Sequence, residues 1–122
     1  MEKITIDNVG EFLIKCVPEF KITYKEFLKD NDGEKIIHVL FGCYLTPFVK
    51  EVIKKEETNT LKKVGIFLSK CFEFGDQDID NIVHVSFFEN MKMRTFDKLV
   101  PYLSKKLVRH MKDMGRKYPY FY

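Results

Sequence analysis

The stretch Lys70-Cys71-Phe72-Glu73-Phe74-Gly75-Asp76-Gln77-Asp78-Ile79-Asp80-Asn81-Ile82-Val83-His84-Val85-Ser86-Phe87-Phe88 decides the fold class. Before it, Leu61, Val64, Leu68, Cys71 and Phe72 recur at spacings of three and four, with Lys62, Lys63 and Lys70 left outside. After Gly75, Ile79, Ile82, Val83, Ser86 and Phe87 fall on one helical face. Gly75 reads as a helix stop. Asp76 reads as the next N-cap, and Asp78 and Asp80 sit in or near a first turn, where the helix dipole favours anions. Two antiparallel helices joined by Phe74-Gly75-Asp76 follow from this pattern. Residues 83–88 are β-branched and aromatic enough for a strand, but the aspartate cap and the helical spacing favour a helix.

Working outward, the same periodicity continues. Thr5-Ile6-Asp7 opens a segment with Val9, Phe12, Leu13 and Cys16 at helical spacing, and Pro18 ends it. Thr23-Tyr24-Lys25-Glu26 has the form of a capping box, and Asn31-Asp32-Gly33 is a turn signal. Residues 34–57 carry a broad apolar stripe through Leu40, Phe41, Leu45, Val49 and Val52, which predicts a central helix contacted on more than one side. Pro47 either kinks that helix or starts a second one. Thr58-Asn59-Thr60 can cap the next helix. Thr95 is read as the cap of a short helix that Pro101 ends or kinks. Leu103, Leu107, Val108 and Met111 continue in a last helix to Gly115. The expected fold is all-α, a single compact domain of about six helices (residues 1–115) arranged as antiparallel hairpins, with a basic, aromatic tail at 116–122.

Length and composition agree with one domain. The chain has 122 residues, with 45% hydrophobic and 32% charged, the balance of a folded globular protein. There is no Trp and no Ala, so twelve Phe and six Tyr must supply much of the core. No apolar run reaches the ~20 residues of a membrane span. No charged start, apolar run and small-residue cleavage site mark an export signal. Three scattered cysteines, Cys16, Cys43 and Cys71, then point to reduced thiols in the cytoplasm and are read as core residues on apolar helix faces.

The formal net charge of +3 conceals a polarity. Residues 71–91 carry Glu73, Asp76, Asp78, Asp80 and Glu89 and no Lys or Arg. Residues 92–122 carry nine Lys and Arg against Asp97 and Asp113. Helix capping accounts for Asp76 and Asp78, but not for the absence of cations over the whole acidic segment. A compact negative patch at one end of a helical hairpin suits a basic protein partner. Glu73, Asp76, Asp78, Asp80 and Glu89 are its charged candidates. Phe74 and Phe88 are candidate apolar anchors, and His84 lies on the same segment. The rival reading uses the basic end. Lys105, Lys106, Arg109 and Lys112, with Arg116 and Lys117, could follow phosphates while Tyr118, Tyr120, Phe121 and Tyr122 stack on bases. The same cations also fit the polar face of a terminal amphipathic helix.

Chemistry is hard to find in the pattern. No metal-ligand spacing joins the cysteines with His38, His84 and His110, so neither metal nor cofactor is expected. No nucleophile elbow, phosphate loop or dinucleotide fingerprint occurs, so an enzyme is not expected. Asp80 and His84 are an i,i+4 pair, for which a solvated surface pair is the simpler reading.

The stretch from Ile66 through Gly75-Asp76 to Asn81-Ile82-Val83-His84-Val85-Ser86-Phe87-Phe88-Glu89-Asn90-Met91 resembles the hallmark of small bacterial HEAT-like helical proteins. Leu99-Val100-Pro101-Tyr102-Leu103-Ser104-Lys105-Lys106-Leu107 is similar to their C-terminal element. Many members are assigned as immunity proteins of polymorphic or contact-dependent toxin systems. The resemblance implies that Gly75 serves the turn, that Asp76 caps the next helix, and that Asn81, Phe87 and Glu89 are structural motif positions. It implies a cytoplasmic protein that binds a cognate toxin domain, a nuclease being the expected type. It names no toxin-binding residue, so the candidate site rests on charge alone.

Overall fold

Among the described residues the chain forms seven helices and no strand. The structure is a computed structural model that describes residues 2–117, with side chains through 113. Helix α1 is Val9–Cys16 and α2 is Lys21–Asp30, entered directly from a 3-10 turn at Pro18–Phe20. Helix α3 runs over 37–54 and contains a π-helical turn at Leu40–Leu45. Helix α4 is Thr58–Phe74. Helix α5 runs over 77–90, with a second π-helical turn at Val83–Phe87 and a 3-10 end. Helix α6 is Met93–Leu99 with a 3-10 extension at Val100–Tyr102, and α7 is Lys105–Lys117. No helix of the described residues is long and apolar enough to cross a membrane.

Pro47 neither splits the long helix nor stands alone as a kink. It has no N–H to bond back, and its ring crowds the carbonyl four residues earlier. The chain answers with the wider turn at Leu40–Leu45, immediately before it. The Thr46 hydroxyl donates to the Phe41 carbonyl at 2.8 Å and reaches the Ser86 carbonyl of α5 at 3.4 Å. The π-helical turns of α3 and α5 therefore pack on each other. Asn90 Nδ2 supplies a further donor to the Ser86 carbonyl, at 2.8 Å.

Three helix starts differ from expectation. Helix α2 begins at Lys21, so Thr23 lies inside it and no capping box forms. Helix α4 begins at Thr58 after Glu57, with no side-chain cap. Helix α6 begins at Met93, ahead of Thr95. Helix α2 is entered from a residue already in helical conformation and α6 follows buried Met91, so no hydroxyl cap is needed there, while at α4 the Thr58 hydroxyl turns back to the Glu56 carbonyl at 3.5 Å.

Phenylalanine builds the core. Phe20, Phe27, Phe41, Phe67, Phe87 and Phe96 are almost completely buried. Phe67 of α4 meets Phe12 of α1 at 5.8 Å and Phe41 of α3 at 6.0 Å between ring centres. Helix α4 is thus a second central helix beside α3. It meets α5 close to the Gly75 turn, while the body of α5 packs mainly on α3, so the predicted hairpin opens away from its turn.

Helix α4 also touches the end of α6 through Gly65. A Cβ there would fall on the Tyr102 carbonyl and lie 2.7 Å from its carbon, so main chain rather than a movable side chain blocks it. On an open helix face Gly→Ala gains about 1 kcal/mol. Here the clash reverses the sign, and Gly65→Ala is expected to cost about 1–3 kcal/mol. Urea unfolding reads the difference directly, and a stabilised variant would contradict the packing described. Thr46→Val keeps the shape and removes the hydroxyl. Its expected cost is about 1 kcal/mol, measured in the same way.

Candidate functional site

The acidic end is held from both sides. Gly75 stops α4 with extended backbone, because a Cβ there would collide with the Cys71 carbonyl and press on Ile79. The N-terminal segment lies beside the turn. Ile4 N–H donates to the Phe74 carbonyl at 2.9 Å, and Asp76 N–H donates to the Ile4 carbonyl at 3.0 Å. Asp76 then caps α5, its Oδ1 accepting from Ile79 N–H at 3.0 Å. This local chemistry is the one the sequence predicts.

Glu73, Asp76, Asp78 and Asp80 gather around this turn, and Glu73, Asp78 and Asp80 are exposed. Glu89 lies near the far end of α5, roughly 16 Å further along the axis. Among the described residues none of Glu73, Asp76, Asp78 and Glu89 forms an ion pair, and Asp80 lies 3.6 Å from the His84 imidazole, with no Lys or Arg against it. The negative charge therefore faces solvent without local neutralisation.

The aromatic candidates are placed differently from expectation. Phe88 is fully buried, edge-on to Phe87 at 5.1 Å and to Phe96 at 5.8 Å. It is a core residue and no surface anchor, because the π-helical turn before it rotates it inward. Phe74 is half-buried against the core. His84 is also mostly enclosed. Its Nε2 lies 3.1 Å from His110 Nε2 of α7 and 3.6 Å from Asp80 Oδ1, and its Nδ1 is buried without a partner.

A groove of about 290 Å³ adjoins the acidic turn. Asp78, Asn81 and Ile82 form its α5 side, and Ile6, Lys35 and His38 close it from the N-terminal segment and the start of α3. Lys35 is paired with Glu11 at 2.7 Å, which lowers the Glu11 pKa and raises that of Lys35. The lysine is thus engaged elsewhere, and Asp78 sets the sign of the groove. Exposed Ile6 and Ile36 stand beside it. Sequence reasoning missed these residues because they come from distant segments. Their one signal was Ile6 and Ile36, two isoleucines just ahead of helix starts.

The basic end is divided. Ser104 N–H donates to Ser69 Oγ at 2.9 Å, and Ser104 Oγ caps α7 by accepting from Leu107 N–H at 3.2 Å. Lys105, Arg109 and Lys112 then line one cavity, while Lys106 is exposed outside it. The side chains of Arg116 and Lys117 and the tail at 118–122 lie outside the described residues.

The three thiols do not form one cluster, though Cys16 lies near enough to Cys71 to reinforce the upward shift of its pKa. Cys71 is buried, and burial pushes its pKa far up. Burial raises Cys16 as well. Cys43 is exposed, contrary to its expected place on an apolar face. The wider π-helical turn shifts the register of α3 at this point. Among the described residues no group of three His, Cys, Asp or Glu could hold a metal ion.

Burial holds the His84 pKa below the ordinary histidine range. Asp80 opposes this shift and His110 reinforces it, with Glu89 opposing more weakly. The unfolded chain therefore takes up this proton first as pH falls. The contribution of His84 to stability is complete above about pH 6.5 and declines below it, down to the folded-state value. Urea unfolding from about pH 7.5 to about pH 5 is expected to show a smaller acid loss in His84→Gln than in the parent. Equal pH slopes would contradict a neutral, buried His84.

Residues 11–116 match a family model described as a domain of unknown function, DUF7674. No curated protein and no solved structure matches the chain. The family match takes in α2 through α6 completely and all but the edges of α1 and α7, and the protein belongs to the DUF7674 family.

Proposed function

We propose that this protein is a cytoplasmic immunity protein that binds a cognate bacterial toxin domain, most simply a nuclease, and occludes its active site or substrate groove without performing chemistry. The observation that carries this reading is the acidic turn at the start of α5. Glu73, Asp78 and Asp80 are exposed there, no Lys or Arg pairs with them among the described residues, and a groove lined by both isoleucines and polar side chains lies alongside. A nuclease groove is basic because it must hold phosphates. An unneutralised acidic surface attracts such a groove over distance and speeds encounter. Ile6 and Ile36, next to the charges, supply apolar area that leaves water on docking. Phe74 contributes only its exposed edge. The basic face of α7 supports the rival reading, nucleic-acid binding, which requires affinity that falls steeply with salt.

The test is protection of a bacterial host from the toxin domain encoded beside this protein. Glu73→Lys, Asp78→Lys and Asp80→Lys are combined, and Asp76 is left in place because it caps α5. The expected result is loss of protection and association slowed by at least about tenfold at low salt, with the unfolding midpoint nearly unchanged. Full protection by the triple variant would overturn this placement of the site. Salt-sensitive DNA binding without toxin binding would favour the rival.

A further inference from the structure

The cavity beside α7 has a chemistry of its own. It measures about 560 Å³, within the range of small-molecule sites. Three cations, Lys105, Arg109 and Lys112, line one side of it. They follow one helix face over roughly 10 Å. Among the described residues no acidic side chain lines it and none of the three forms an ion pair. The remaining walls are Val100, Pro101, Leu103 and Val108, whose side chains carry no hydrogen-bonding atom.

We propose that this cavity binds a single-chain amphiphile with a phosphate head. Three cations lining one wall, with no carboxylate among the described lining residues, call for an anion of more than one charge. Arg109 can take two phosphate oxygens at once, and the lysines can add point charges. The apolar walls favour a hydrocarbon body over a nucleobase, because a base would leave its polar edge without partners there. The proposal is independent of the immunity reading, since it uses different residues and a different ligand.

The test titrates the full chain with octyl phosphate below its micellar concentration, followed by calorimetry and by amide NMR shifts. Saturable one-to-one binding is expected, with shifts concentrated over 100–112. Octyl phosphate is expected to bind at least about tenfold more tightly than butyl phosphate, because the added methylenes leave water. Arg109→Gln with Lys112→Gln is expected to weaken binding at least about tenfold, whereas Lys106→Gln, outside the cavity, leaves it unchanged. Inorganic phosphate or adenosine diphosphate binding as tightly as octyl phosphate would overturn the proposal. So would association with phosphatidic acid vesicles without binding of the monomer, unsaturable binding, or an unaffected double variant.

Discussion

The structure depends on how the crossing of α3 and α5 satisfies its own main chain. A π-helical turn bonds each N–H to a carbonyl five residues back and leaves the regular ladder out of step. Both helices place such a turn at the crossing, where an unpaired buried carbonyl would cost about 1–3 kcal/mol. The Phe41 carbonyl accepts both the N–H and the hydroxyl of Thr46, the hydroxyl also reaches the Ser86 carbonyl, and the Asn90 amide covers Ser86. Because the polar groups are paired locally, Leu40, Phe41, Leu45 and Phe87 can be withdrawn from water around them. They join the wider apolar core, whose burial as a whole supplies most of the driving force for the domain.

The same crossing orients three faces of α5. Its buried face carries Ile79, Ile82, Val83 and Phe87 into the core. Next to it, Asp78 and Asn81 look into the groove. His38, which also lines that groove, is held by Ser86 at the crossing through a 2.9 Å contact. On another side His84 meets His110, whose ring packs on Phe72 of α4 at 5.1 Å. A shift in the register of the π-helical turn would move all three faces together. The groove is therefore a consequence of core geometry and not a separate surface feature.

The all-α class was legible because the 3.6-residue period is strong in every segment that became a helix. Asp76 was legible for a local reason: an aspartate directly after a helix-stopping glycine has one low-energy use. The caps read at Thr23 and Thr95 failed because both helices begin two residues earlier, and the cap read at Thr58 failed because its hydroxyl turns back to the Glu56 carbonyl. Phe88 was misplaced because a π-helical turn adds a residue to the turn, and extrapolation at 3.6 residues then puts the following aromatic on the wrong face. The acidic end was readable from charge. The groove was not, because Ile6, Lys35 and His38 are assembled onto α5 only by the fold, and no local period encodes that meeting.

The separation of charge also has a structural cause. Helix α7 is the most basic element, yet it meets α5 through two imidazoles and not through an ion pair with the aspartates. A lysine or arginine in the place of His110 would reach Asp80 and draw cationic charge onto the acidic turn. A buried ion pair there would also have to overcome the desolvation of two charges. The His84 imidazole, whose pKa burial lowers, avoids that cost and leaves Asp80 exposed at its outer edge. Lys105, Arg109 and Lys112 are correspondingly turned to the cavity at Val100 and Pro101. Two surfaces of opposite sign thus persist on one small domain because the contact that joins their helices is made by imidazoles and not by a lysine or arginine on an aspartate.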